Sequence, residues 1–242
     1  MSLQLDLIEA LAPTGRLRAA INVGNPILAK RHAQTGQATG VSVDLAQGFA
    51  DLLQVPLDLV VVETAADSVD QVARDAADIG FFAIDPKRGE AVSFTDPYLL
   101  IEGCYLVRED SPIVHNEQVD QPGVRLVVGQ GSAYDLFLSR EIRQARLERA
   151  PSSPAVVEHF LATGADVAAG VRQQIAQEAA RRGGLRLLPD RFMVIRQAMG
   201  CARRRGEAAQ QALQAYVSRM KSDGVIAAAL SRHGVTGVSV AD

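Results

Sequence analysis

Short apolar runs rich in β-branched residues alternate with amphipathic stretches along nearly the whole chain, and this alternation limits the fold more than any other feature. Residues 16–23 (RLRAAINV), 57–63 (LDLVVVE) and 77–84 (ADIGFFAI) read as strands. Between the first two, GVSVDLAQGFADLLQV sets Leu45, Phe49, Leu52 and Leu53 on one helical face, with Ser42 a candidate cap. Between the second and third, Ser68 with Gln71 fits a capping box for a short helix at 69–76. A strand–helix–strand order demands crossover connections, hence a parallel sheet with helices on its faces. Residues 101–109 read as a further strand, and a polar connection follows it. The pattern then restarts with strand 124–129, a helix capped by Ser132, the strand LERA, and a helix with Ser153 as cap, Pro154 at its first position and Gly164 at its end. The strand ADVAAGV, the helix RQQIAQEAARRGG and the strand LRLLP complete this second unit. Residues 101–109 and 191–201 read as paired extended crossings between the units, and two amphipathic helices end the chain. The expected organisation is a first lobe of residues 1–108 with 195–242 and a second of 109–194.

Composition excludes several function classes. The chain has 242 residues, 48% of them hydrophobic and 22% charged, which fits ordered α/β units. A net charge of −3 gives no support for a nucleic-acid partner, and the run Arg203, Arg204, Arg205 reads as a solvated face. No apolar run reaches the ~18 residues of a membrane-spanning helix. The N-terminus lacks a basic segment and carries Asp6 and Glu9 within its apolar stretch, so it reads as an amphipathic helix and not as an export signal. The 2 cysteines, Cys104 and Cys201, have no metal-ligand spacing and read as buried thiols; the 4 histidines are scattered. No cofactor or metal is expected.

The most informative stretch is Phe81–Val107, FFAIDPKRGEAVSFTDPYLLIEGCYLV. Asp85 and Pro86 suit the cap and first position of a short helix placed directly after a strand. In open α/β sheets, ligands bind at that carboxyl end of the strands. Arg88 falls in the first turn, where a guanidinium and the positive end of the helix could hold a carboxylate. The alternative is that Arg88 pairs with a surface acid or with Asp96.

Five segments in order resemble the family 3 extracellular solute-binding proteins of ABC importers: GVSVDLAQGFADLL (40–53), ADIGFFAIDPKRGEAVSFTDPY (77–98), GVRLVVGQGSAYDLFL (123–138), GADVAAGV (164–171) and SDGVIAAAL (222–230). The resemblance covers about residues 14–234. It implies the two-lobed periplasmic binding protein-like type II fold, each lobe a mostly parallel sheet flanked by helices, joined by two hinge segments with a ligand cleft between the lobes. It also implies a periplasmic location and an ABC permease as partner; the chain as given shows no export signal, which leaves the cytoplasm as the alternative. By position, Arg88 matches the arginine that grips the ligand carboxylate, and Ser132 matches the second-lobe residue that meets the same group.

Other positions depart from the family pattern. Family members that bind amino acids usually carry an Asp, holding the ligand ammonium, where this chain has Val171 followed by Arg172. The aromatic residue that usually covers the ligand falls at Gly24 or Asn25. Ala83 stands where a backbone or hydroxyl partner of the ligand is common, and Phe81 or Phe82 reads either as an apolar wall of the site or as core. Asn22, Asn25, Gln130, Tyr134 and Gln173 are further neutral candidates. A buried ammonium without a counter-charge is costly, so the expected ligand is a small carboxylate or dicarboxylate, or an amino-acid-like molecule, held by Arg88 and Arg172. The function implied is non-catalytic capture of that ligand. The alternatives are an enzyme resembling cyclohexadienyl dehydratase, needing a general acid such as Glu102, Glu158 or Glu178, and a cytoplasmic ligand-binding sensor.

Overall fold

The computed structural model describes residues 2–242 of the chain. The chain divides into two compact units, Met1–Leu100 with Arg196–Asp242, and Ile101–Ile195. The elements of the first part are α1 (Ser2–Leu11), β1 (Leu17–Asn22), a hairpin of β2 (Lys30–Arg31) with β3 (Ala38–Thr39), α2 (Val41–Leu53), β4 (Leu57–Val62), α3 (Ala65–Ala73), β5 (Ile79–Ala83), the single turn α4 (Pro86–Gly89) and β6 (Val92–Phe94). Then follow β7 (Leu99–Arg108), β8 (Arg125–Gly129), α5 (Ala133–Glu141), β9 (Arg146–Ala150), α6 (Val156–Thr163), β10 (Val167–Val171), α7 (Arg172–Arg182) and β11 (Leu185–Ala202). The chain ends with α8 (Gly206–Ser222), α9 (Val225–Arg232) and β12 (Ser239–Val240).

In the first unit β4, β1 and β5 are parallel, in the order β4-β1-β5. The returning half of β11 closes this sheet antiparallel to β5, from Gln197 opposite Ala83 to Cys201 opposite Ile79. Every residue of β5 is buried, as a strand covered on both faces requires. Adjacent side chains point to opposite faces, so Phe81 meets Tyr98 edge-on while Phe82 meets Phe94 and packs with Ala20, Val72 and Val92.

In the second unit β10, β8 and β9 are parallel and β7 is antiparallel to β10. Period-two alternation divides its core. Tyr105, Val107, Leu126 and Val128 pack on one face with Tyr134 and Leu138, and Cys104, Leu106 and Val127 pack on the other with Val157 and Phe160.

Several local expectations change. Thr64 caps α3, its hydroxyl accepting from Asp67 N at 3.1 Å, and Ser68 lies inside the helix, fully buried. Gly40 precedes α2 and Ser42 is likewise interior. At Gly40 a Cβ would come within 2.5 Å of the Leu28 carbonyl oxygen, so the chain's close approach there places the helix start, and no side-chain cap is needed to mark it. Leu52, expected on the packed face, is exposed. Ala155 takes the cap position of α6, displacing the expected start at Ser153 and Pro154. LRLLP and 191–201 form one 18-residue strand, β11. Residues 101–108, expected in the first lobe, group with the second unit, where residues 103–106 of β7 pair with β10.

Candidate functional site

Asp85 and Pro86 behave as their types dictate. The Asp85 side chain accepts from Lys87 N at 2.9 Å, and Pro86 takes the first helical position. The helix they open is only 4 residues long. A single turn sums too few peptide dipoles to act as an anion site, so that part of the expectation is withdrawn. What remains is Arg88 itself. It is 5% exposed, and its Nη1 donates to the Ala83 carbonyl at 3.2 Å. Burial lowers the guanidinium pKa to about 10, and the nearby Asp85 charge offsets only part of that. This is a desolvated cation at the carboxyl end of a buried strand, set beside a backbone that holds it in place. Ala83 thus contributes its carbonyl to Arg88, while its side chain is buried.

The loop after β1 explains the missing aromatic. A Cβ at residue 24 would lie 2.1 Å from the Glu63 carbonyl oxygen, so only glycine fits. Asn22 Oδ1 accepts from Gly24 N at 2.9 Å and Asn25 Oδ1 accepts from Ile27 N at 3.2 Å. Both Asn side chains are therefore turn formers; Asn25 keeps its amide N–H donors for other partners.

In the second unit the Ser132 hydroxyl caps α5, accepting from Asp135 N at 3.0 Å, and it is buried. Asp135 accepts from Gly131 N at 2.9 Å and from Arg149 Nε at 3.1 Å, which fixes the loop ahead of the cap. Tyr134 does not fit the role given to it. It is 2% exposed and belongs to the core of this unit, and burial raises its phenol to about 12. Gln130 is exposed and Val171 is buried.

Arg172 is engaged, contrary to expectation. Its Nε donates to Glu102 Oε2 at 2.7 Å, and Arg191 Nη1 donates to Glu102 Oε1 at 2.9 Å. The two arginines hold the Glu102 carboxyl below the usual carboxylate range, chiefly through the hydrogen bonds they donate. No local motif announces this cluster. Glu102 and Arg172 lie 70 residues apart, and the antiparallel register that sets Val171 against Gly103 brings them together. Glu178 is likewise held low by Arg181 and Arg182, and Glu158 is exposed. Among the described residues, no group of three or more His, Cys, Asp and Glu stands together to hold a metal, and no helix is long and apolar enough to cross a membrane.

Two α/β units, each built on a mostly parallel sheet flanked by helices, define the class: the fold is that of the type II periplasmic binding proteins. Residues 17–236 match the family described as bacterial extracellular solute-binding proteins, family 3, and the chain belongs to it. A curated relative, the cyclohexadienyl dehydratase of Pseudomonas aeruginosa, is 29% identical over 173 residues, 68% of this chain. The match spans 62% of that relative's length. Among solved structures, a solute receptor for L-cysteine of Neisseria gonorrhoeae superposes with a TM-score of 0.79 at 21% identity, covering 93% of this chain and 92% of that one. An amino acid ABC transporter substrate-binding protein of Streptococcus pneumoniae, bound to L-arginine, gives 0.79 at 16% identity, covering 93% and 97%.

Proposed function

We propose that this chain is a non-catalytic solute-binding protein that captures a small carboxylate or amino-acid-like ligand through Arg88. An ABC permease is its partner, and it works outside the cytoplasmic membrane. The observation that carries this reading is the buried Arg88 guanidinium, whose burial is only partly offset by Asp85. A ligand carboxylate would supply a further counter-charge in the planar fork geometry that favours arginine. Ser132, buried in the second unit, is a further candidate by its match to the family pattern. Family membership and the named binding proteins of similar fold support the same class.

The 29% identity to a dehydratase favours a second reading, an enzyme. That chemistry needs a protonated acid near neutral pH. Glu102 and Glu178 are held ionised by arginines, and Glu158 faces solvent. These features support binding over elimination.

The test begins with mass spectrometry of small molecules released from the purified protein. Calorimetry with the acid so identified then compares the parent with Arg88→Met and Arg88→Lys. Truncating one partner of a buried charge pair costs about 2–5 kcal/mol, or roughly 30- to 5,000-fold in affinity. Arg88→Met keeps the apolar stem, and its circular dichroism separates lost binding from lost folding. Arg88→Lys should restore binding only in part. A folded Arg88→Met protein that binds as tightly as the parent sinks the proposal, and turnover of a carboxylated ring substrate would favour the enzyme.

A further inference from the structure

We propose that the second unit carries an oxyanion site of its own, formed by Arg172 and Arg191, in which Glu102 is a resident counter-ion that the carboxylate of a small organic acid can replace. Three features point to it. First, two guanidinium groups share one carboxylate, that of Glu102. Second, the pairing is incomplete. The full two-pronged fork is met elsewhere in the chain: Arg16 meets Asp58 at 2.6 and 2.7 Å, and Arg125 meets Glu148 at 2.8 and 3.0 Å. Glu102 instead spends one oxygen on each guanidinium, at 2.7 and 2.9 Å. Arg172 adds only a weak contact to the Pro189 carbonyl at 3.3 Å. A guanidinium has five N–H donors, so most of this pair's donors take no part in hydrogen bonds among the described residues.

Third, the cluster is reachable and well placed. Arg172 and Glu102 are each 32% exposed at the side chain and Arg191 is 57% exposed. Arg172 opens α7 directly after β10, at the carboxyl end of a parallel strand, where α/β sheets take their ligands. A planar carboxylate fits an arginine fork better than the bridging Glu102 does. Because Glu102 is tethered, it competes as an intramolecular ligand and weakens capture of any free acid. The site therefore favours dicarboxylates over monocarboxylates, since its two guanidinium groups can each take one carboxylate. The inference does not depend on Arg88.

Titration of the full chain with malonate and with acetate, followed by the arginine Nε–H signals in nitrogen–proton NMR spectra, tests it; sodium chloride of equal ionic strength is the control. The Arg172 and Arg191 signals should move saturably with malonate and less with acetate. Glu102→Gln keeps the shape, removes the competitor and should tighten malonate binding by about 2- to 30-fold, the span of two partly exposed ion pairs. Arg191→Ala, at an exposed position, should weaken it. Arg88→Met should leave this titration unchanged, so failure here is distinct from failure of the Arg88 reading. Unchanged or weaker binding in Glu102→Gln overturns the proposal, as do shifts no larger than those with chloride.

Discussion

Asp78 is the residue whose loss should most damage the first unit. Its side chain is fully buried just ahead of β5, and four donors converge on it: Arg18 N at 2.8 Å, Arg18 Nε at 3.1 Å, Arg18 Nη2 at 2.7 Å and Arg205 Nη2 at 2.7 Å. Arg205, 8% exposed at its side chain, also donates to the Ala10 carbonyl and to Asp75, and Arg204 reaches Asp75 and the Ala73 carbonyl. One carboxylate thus ties β1, α1 and the start of β5 to the returning C-terminal segment. Asp78→Ala would strand a buried guanidinium and a backbone N–H. Breaking a buried pair in this way costs about 3–5 kcal/mol. At a urea m-value of about 3 kcal/mol/M, the midpoint should fall by about 1–2 M. The two thiols report which unit opens. Cys201 lies in the first unit and Cys104 in the second, both buried, and burial raises each thiol to about 11, which keeps the native protein unreactive. Alkylation in a urea series, read by peptide mass spectrometry, should show Cys201 exposed at lower urea in Asp78→Ala. A loss under about 1 kcal/mol, or exposure of Cys104 ahead of Cys201, would refute this account of the network.

Gly24→Ala should destabilise the first unit by about 1–3 kcal/mol, because its Cβ would sit 2.1 Å from the Glu63 carbonyl oxygen; an unchanged melting temperature would show that the loop moves freely. Acid should weaken the fold in a defined direction. Asp58, Asp75, Glu102, Asp120, Glu148 and Glu178 all have lowered pKa in the folded protein, so their stabilisation is complete above the unfolded carboxylate values near about 4 and is lost as pH falls through the lower folded values. The urea midpoint should stay level from about pH 7 to 5 and drop below about 4. A midpoint that rises on acidification would contradict this.

The amino-acid sequence alone determined which segments are strands and helices, because hydrophobic period and residue type act over neighbours in the chain. The runs at 57–62 and 79–83 and the Asp85–Pro86 helix start are legible for that reason. Ser132 was legible as a cap because it directly precedes its helix, whereas Ser42 and Ser68 misled. At those two sites the helix begins where the chain leaves the preceding hairpin or strand, and the serines are carried into the packed interior. Arg88 was visible as a cation after a strand, but its desolvation was not, since burial depends on tertiary packing and not on neighbours in the chain. Tyr134 looked like a ligand contact from its position and became core once both faces of the second sheet were filled. The Arg172–Glu102–Arg191 cluster and the Asp78 network could not be read at all. Their members lie tens to more than a hundred residues apart, and only strand register and the return of the C-terminal segment bring the charges within hydrogen-bonding distance.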